Sequence, residues 1–412
     1  MEKEKITFNL KHSLLVWGIA DIYFILAVMI SVLFAILSPD IQQQLKLNNT
    51  QLGLLGTAFF LCYGIAQLFT GHFFDVFGAK MTLGCSALIA GMGLLLMSNS
   101  YNFAIALMAK IIIGIGLSTS YVGALYLADN WFPSHRFSLM SGITQMSSNL
   151  LTALLVVIMA LSGVFMSFRP MMIYLAFIIF ANALLIFIFV HNPQVYAGGT
   201  PSERDSFLFN MSKLFKIKQY CLGILYFSTS FGVLLSLADL WNIPTQITYR
   251  HSLETSAVMN AMFPLGGGIG ALISGWVANR IKKPVKVAKS FISGMVLVLA
   301  ILLYGPDFST CVAFFLLFLL GFLFGGAVLA FPIVSQYISK HLKGMAFGLM
   351  AMMAYIMSAL LQYGVGAILS HTQITKTVHS INDYQLALTP LFIVLLIGWF
   401  GSLWLKDKHQ EI

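Results

Sequence analysis

Charge is what this sequence has least of. Only 9% of its 412 residues are Asp, Glu, Lys or Arg, against about 25% in an ordinary soluble domain. So few charged groups leave the surface of a water-soluble globule uncovered, which excludes a soluble enzyme. Acids are the scarcer sign: 14 Asp plus Glu against 23 Lys plus Arg give a formal charge of +9. A basic balance points to nucleic acid only where Lys and Arg cluster between solvated segments. Here they are scattered between long apolar runs, so no nucleic-acid partner is expected. Cysteine is rare too. Cys62, Cys85, Cys221 and Cys311 lie in or beside apolar stretches, with no CxxC and no His at ligand spacing. Neither a disulfide framework nor a metal site is expected from them. A Ser/His/Asp set, paired catalytic carboxylates, HExxH and a Walker lysine are also missing, which argues against an enzyme and against an ATP-driven pump. Gly266-Gly267-Gly268-Ile269-Gly270 lacks a following GK[ST] and a preceding strand, so it reads as close helix packing.

What fills the chain instead is apolar: 59% of residues are hydrophobic and 14% aromatic. A membrane helix needs about 20 mostly apolar residues. Windows of that length predict twelve spans: 14–38, 51–73, 80–98, 101–128, 136–162, 171–190, 220–243, 253–277, 288–304, 308–338, 343–370 and 386–405. The first follows a charged N-terminal segment with no small-residue cleavage site, and is read as a retained helix rather than a signal peptide. The longest connection, with Pro193, Gly198, Gly199, Pro201 and a mixed-charge tail, divides the chain. The expected organisation is a six-helix bundle over 1–190, a cytoplasmic linker over 191–219 and a second six-helix bundle over 220–412. Basic residues mark the cytoplasmic loops. With the N-terminus inside, only Lys46, Arg169, Arg250 and Lys376 fall in outer loops, while Lys110 falls within a span. Both termini are therefore expected in the cytoplasm. Short loops favour a bacterial inner membrane. The single sequon Asn48-Asn49-Thr50 argues only weakly for a eukaryotic source.

The two halves echo one another. After the second span comes Gly71-His72-Phe73-Phe74-Asp75-Val76-Phe77-Gly78-Ala79-Lys80, and after the eighth Gly275-Trp276-Val277-Ala278-Asn279-Arg280. In each, a Gly precedes Asp or Asn by four residues and cations follow. The Gly allows close helix approach, the polar side chain is placed to cap, and the cations face the cytoplasm. His135-Arg136 before Gly142 is matched by His341-Leu342-Lys343 before Gly348.

With these motifs the chain resembles the major facilitator superfamily. Gly71, Asp75, Gly78 and Lys80 are similar to that family's loop 2–3 motif, and Gly275, Asn279 and Arg280 to its degenerate second copy. Lys110 to Gly116 is similar to its helix 4 pattern, with Lys110 where the family usually has Arg. Asn130-Trp131-Phe132-Pro133 with Arg136 is similar to its loop 4–5. A narrower resemblance rests on Leu240-Trp241-Asn242-Ile243-Pro244 and on Leu125 to Gly142. It points to a bacterial subgroup related to the lysosomal dipeptide transporters. The Gly-Pro pair of drug exporters is absent from the fifth span, where Gly142 to Asn149 stands instead. The resemblance implies two pseudo-symmetric six-helix bundles rocking about a central site, an all-α membrane protein that works as a monomer.

Ionisable groups inside a bilayer cost at least about 2.5–3.5 kcal/mol each, so the few in the spans are the informative ones. Asp21 lies roughly 10 Å into the first span from its cytoplasmic end, at 1.5 Å per residue. It is either the proton-coupling carboxylate or a structural carboxylate bonded to neighbouring helices. Lys110 lies roughly 13 Å in from the outer end of the fourth span. Its ammonium suits a solute carboxylate or phosphate, a switching pair with an acid, or a purely structural pair. A direct Asp21–Lys110 bridge is not expected, because their depths differ by more than about 10 Å. Asp239, with Asn242 and Pro244, is placed near the outer end of the seventh span, either as an outer gate or helix-end residue or, with Asn242, as a substrate contact. Uncharged candidates fall into stripes: Tyr63 with Gln67, Tyr121 along the Lys110 face, Gln145 with Asn149, and Tyr355 with Gln362. Each is either a helix–helix hydrogen bond or a cavity lining.

These readings predict a secondary transporter for a small polar organic solute: an amino acid, a short peptide or an organic acid. No cofactor is expected beyond an ion gradient, with H⁺ as the default and uptake by symport. Asp21 would bind the proton, Lys110 the anionic group, and Asp75, Lys80, Asn279 and Arg280 would latch the cytoplasmic side. The alternatives are an exporter of siderophores or drugs in the same fold, and a non-transporting membrane receptor or scaffold.

Overall fold

A computed structural model describes residues 10–132, 137–162, 167–191, 207–306, 308–339, 342–372 and 380–407. Among them there is no strand. In a bilayer core the backbone has no water to bond, so each apolar stretch closes its own hydrogen bonds as a helix. Twelve helices run back and forth. They are α1 (Leu10–Leu45), α2 (Asn49–Gly71), α3 (Val76–Ser98), α4 (Phe103–Trp131), α5 (Phe137–Ser162) and α6 (Phe168–Phe189). After a short helix Phe207–Phe215 come α7 (Lys218–Thr248), α8 (Leu253–Ile281), α9 (Pro284–Tyr304), α10 (Thr310–Ser335), α11 (Lys343–Thr372) and α12 (Ile381–Leu403). All except α5 are long and apolar enough to cross a membrane; the apolar part of α5 is the shorter Ile143–Ile158. The protein is thus a multi-pass membrane protein whose surroundings include lipid. Below, "proximal" means the end that carries the chain termini and "distal" the opposite end.

Local chemistry sets the helix ends. Asn48 and Gln51 form a reciprocal capping box at α2, and Ser380 and Asp383 do so at α12. Asn102 and Ser252 accept from the third residues of α4 and α8. Pro284 opens α9, where a missing N–H costs nothing. In the first turn of α3 the chain kinks at Gly78, with φ 75° and ψ 169°. That region is essentially closed to residues with a Cβ, which gives the second Gly of the loop motif a conformational reason.

Lipid exposure separates the helices. Phe177, Leu184 and Ile188 on α6, and Ile393, Ile397 and Phe400 on α12, face outward. The two longest helices of the interior, α1 and α7, are the most buried. The halves meet along α2–α11, α5–α8 and α1–α7. Thr50 N–H donates to Ser370 Oγ at 2.8 Å, and Thr57 Oγ1 to the Ala359 carbonyl at 2.8 Å. A methyl added at Gly53 would stand 2.6 Å from the Gln362 carbonyl oxygen, and one at Gly64 2.9 Å from Tyr355 Cβ. So α2 lies tight on α11 from its distal end to about mid-helix. Further along, contacts of that kind stop: a methyl at Gly71, Gly275 or Gly348 would meet nothing within 4 Å among the described residues. The structure is closed distally. Among the described residues no neighbouring helix closes on Gly71 or Gly275 in this state. In the Gly266–Gly270 run, Gly266 and Gly270 do seat against α10 at Phe318 and Phe322, whereas Gly267 and Gly268 are looser.

Two helices are longer than the apolar windows suggested. α1 begins at Leu10, which puts Asp21 about 16 Å rather than 10 Å from that end. α7 continues through Pro244 to Thr248. Asp239 is thereby about 13 Å from the distal end, and its placement beside the interface is corrected. Helix continues there because a five-residue π-turn, Leu237–Trp241, absorbs the irregularity ahead of the proline.

Candidate functional site

Lys110 marks the centre. It is 4% exposed, and its ammonium lies 3.3 Å from the centroid of the Phe34 ring on α1 and 4.9 Å from that of Phe59 on α2. A cation held over aromatic faces keeps some electrostatic support without a carboxylate. Asp239 interacts with it electrostatically from the other half. Asp239 is 5% exposed and carried by the π-turn, and the Ser31 hydroxyl of α1 faces it. Its Oδ2 is buried without a hydrogen-bond partner among the described residues. Lys110 and Asp239 are thus neighbours across the α1–α7 seam rather than a closed ion pair.

Beside them lies an aromatic layer built from both halves. Tyr63 of α2 and Tyr355 of α11 meet edge-on at 4.7 Å, and Phe60 and Phe231 add to Tyr355 at 5.9 and 5.6 Å. Tyr121 is half-buried, 5.0 Å from Phe24 of α1. Distal to this layer, Trp241 Nε1 donates to the Gln362 carbonyl at 3.2 Å. The Gln362 amide is fully buried against Gly56, with neither polar atom partnered among the described residues. Asn242 donates to Asn260 Oδ1 at 3.0 Å, Gln246 to Asn242 Oδ1 at 3.2 Å, and Asn260 to the Ala238 carbonyl at 2.7 Å. This amide chain braces the π-turn from α8. Asn242 therefore holds backbone geometry, and only its neighbour Asp239 faces the seam cation.

Asp21 belongs to a different place. It is 5% exposed, accepts a 2.8 Å hydrogen bond from Ser147 of α5 through Oδ2, and has no partner at Oδ1 among the described residues. It precedes Phe34 by thirteen residues, about 20 Å along α1. Gln67 is buried with Oε1 unpartnered among the described residues, Gln145 is exposed, and Asn149 is half-buried facing Gly268 of α8. Of the loop motif, the Asp75 side chain falls outside the described residues, Lys80 is half-buried with an interaction partner, and Asn279 and Arg280 are exposed. Arg280 lies 5.4 Å from the Trp276 ring. Pro133 and Arg136 lie outside the described residues.

Sequence reasoning passed over Phe34, Phe59, Ser147 and Asn260. For the phenylalanines no signal existed, since 35 are spread through the chain. Asn260 in mid-span carried a detectable one. A small cavity of about 40 Å³ in the second half, among Leu237, Asn242, Phe263, Leu303 and Leu388, lies off the seam and does not include Lys110 or Asp239.

Comparison with known proteins agrees with this architecture. A family model described as the Major Facilitator Superfamily matches residues 21–361. A probable L-galactonate transporter of Escherichia coli is 27% identical over 66% of this chain, and a hexuronate transporter of Bacillus subtilis 24% over 60%. Those matches span 63% and 60% of the relatives' own lengths. Among solved structures, nucleoside transporter NupG aligns over 95% of this chain and 98% of its own, with a TM-score of 0.71 at 13% identity, which shows a shared fold. The chain belongs to the Major Facilitator Superfamily.

Proposed function

We propose that this superfamily member is a secondary transporter for a small organic anion of the sugar-acid class, working by alternating access between its halves. The observation that carries the reading is Lys110: a buried ammonium at the seam, resting on aromatic rings and touching no carboxylate among the described residues. A charge kept in a membrane interior at such cost serves binding or transport by default. The names of the relatives, for galactonate and hexuronate, support a polyhydroxylated carboxylate as that anion. Tyr63, Tyr121, Tyr355 and Gln67 would offer it hydroxyl and amide partners. Uptake across a bacterial inner membrane with H⁺ as the co-transported ion is the accompanying proposal.

The test is accumulation in proteoliposomes under an imposed pH gradient. L-galactonate or a hexuronate should be taken up, while the corresponding uncharged hexose should not. Equal uptake of acid and hexose, or of neither, would sink the reading. Asp21, which accepts from Ser147 of α5, is proposed to take a proton during the return step. Asp21→Asn should then slow gradient-driven uptake at least tenfold while leaving equilibrium binding of the anion in place. Unchanged uptake and unchanged pH dependence would remove Asp21 from the mechanism.

A further inference from the structure

Cations crowd one place on the outside of the molecule, the proximal end of the second half. From Thr255 to Pro306 the chain holds no Asp or Glu, yet Arg280, Lys282, Lys283, Lys286 and Lys289 follow one another there. Lys282, Lys283 and Lys286 are exposed. Lys283 is the N-cap residue of α9 and Lys286 stands in its first turn, at the end of a helix where the dipole disfavours cations. The described carboxylate that reaches this turn is Asp407, just beyond α12. It is buried, and its Oδ1 accepts the Val285 N–H at 3.4 Å. Lys289 donates to the Leu403 carbonyl at 2.9 Å, a neutral partner. One carboxylate, already engaged with backbone, does not balance four lysines at the wrong end of a helix. Among the described residues the balance is not met, and a negative group from the surroundings would meet it.

The lysines also head a track that runs into the bilayer. α9 and α12 lie side by side in opposite directions: below the Lys289–Leu403 bond, Trp399 Nε1 donates to Ser293 Oγ at 2.8 Å, and the Tyr304 and Thr389 hydroxyls meet at 3.0 Å. Lys286, Lys289, Ser293 and Leu297 recur at helical spacing, so they share one face of α9. From the proximal end inward that face presents two ammonium groups, then the hydroxyl tied to Trp399, then Leu297, which is 61% exposed. Lys286 and Leu297 are about 16 Å apart along the helix. Trp404, 57% exposed, follows Leu403 at the level where aromatic side chains mark the edge of a membrane. A soluble anion would use only the head of such a track. A phospholipid standing in the bilayer uses all of it, phosphate outermost and chain within.

We propose that the groove between α9 and α12 binds one anionic phospholipid, with its phosphate on Lys286 and Lys289 and an acyl chain along Leu297. Basic pockets between membrane helices favour such headgroups. The lipid supplies the charge that the proximal end of α9 lacks and braces α9 against α12. It sits on the lipid-facing side of the second half, away from the seam, so the site does not depend on which solute is carried.

The experiment places the full chain in phosphatidylcholine nanodiscs holding a small share of phosphatidylglycerol brominated on its acyl chains. Bromine quenches Trp fluorescence at contact range, so Trp399 and Trp404 report a lipid resting in the groove. Brominated phosphatidylglycerol should quench well beyond the same share of brominated phosphatidylcholine, and added salt should shrink the difference. Trp404→Phe should remove much of it. Lys286→Gln combined with Lys289→Gln should raise the half-saturating phosphatidylglycerol content roughly 30-fold, about fivefold for each ammonium lost. Lys213→Gln combined with Lys216→Gln, in and just after the short helix packed on α7 and α11, should leave it unchanged. Glycerol 3-phosphate, which has the phosphate without the chains, should not compete. Equal quenching by the two brominated lipids would overturn the site. An equal loss in the Lys213/Lys216 variant would do so too, leaving only a general attraction of the basic end for anionic membranes. Competition by glycerol 3-phosphate would make it a site for soluble phosphates and overturn the lipid assignment.

Discussion

Lys110→Gln should abolish binding and transport of the anion while the protein still folds and inserts. Removing one partner of a buried charge pair costs about 2–5 kcal/mol or more, which is roughly a 30-fold to several-thousand-fold loss of affinity. Part of that loss is a penalty on Asp239, which keeps a buried negative charge with no cation facing it. The double variant Lys110→Gln with Asp239→Asn removes that penalty. It should regain thermal stability in detergent relative to Lys110→Gln alone, yet still fail to bind the anion. Binding isotherms on the three proteins, with melting temperatures beside them, make the separation. A double variant that bound the anion as well as the wild type would show that Lys110 is there only to hold Asp239.

Gly53→Leu should turn a protein that rests closed on its distal side into one that rests open there. A methyl at Gly53 would already stand 2.6 Å from the Gln362 carbonyl oxygen and 3.3 Å from Tyr363 Cα, both backbone atoms of α11. Backbone in a packed helix gives way only by moving the helix. Overpacking of this kind costs about 1–3 kcal/mol, charged to the closed state alone, because α2 and α11 part distally in the open one. That shifts the equilibrium by about 5–150-fold. Spin labels at the exposed positions Gln43 and Glu254, in the distal end turns of α1 and α8 in opposite halves, should report the longer separation as the major population. The smaller Gly53→Ala should fall between. An unchanged distance distribution in Gly53→Leu would mean that the α2–α11 seam does not set the resting state.

Much of the architecture was readable in the chain because the bilayer leaves it little choice. A long apolar run in lipid becomes a helix, and twelve such runs with a repeated Gly–Asp/Asn motif led to two six-helix halves and to the superfamily. The boundaries that were misjudged lie where apolar character and helix part company. α7 runs on through Asn242 and Pro244 because a π-turn and an amide chain from α8 support it, and neither leaves a hydropathy signal. That difference moved Asp239 from an interface position to a buried one.

By itself the sequence determined the membrane class, the helix count, the scarcity of charge in the spans, and therefore the short list on which any mechanism must draw: Asp21, Lys110 and Asp239. Rarity made them conspicuous, since burial of charge in a bilayer is costly and few are present. What only the tertiary structure decided is which of them meet. Lys110 and Asp239 are far apart in the chain and on different halves, and their approach depends on how α1, α4 and α7 cross. Asp21 shares α1 with the Phe34 that cradles Lys110, yet the rise of the helix keeps it about 20 Å away and gives it to Ser147 instead. Composition names the charges; helix packing pairs them.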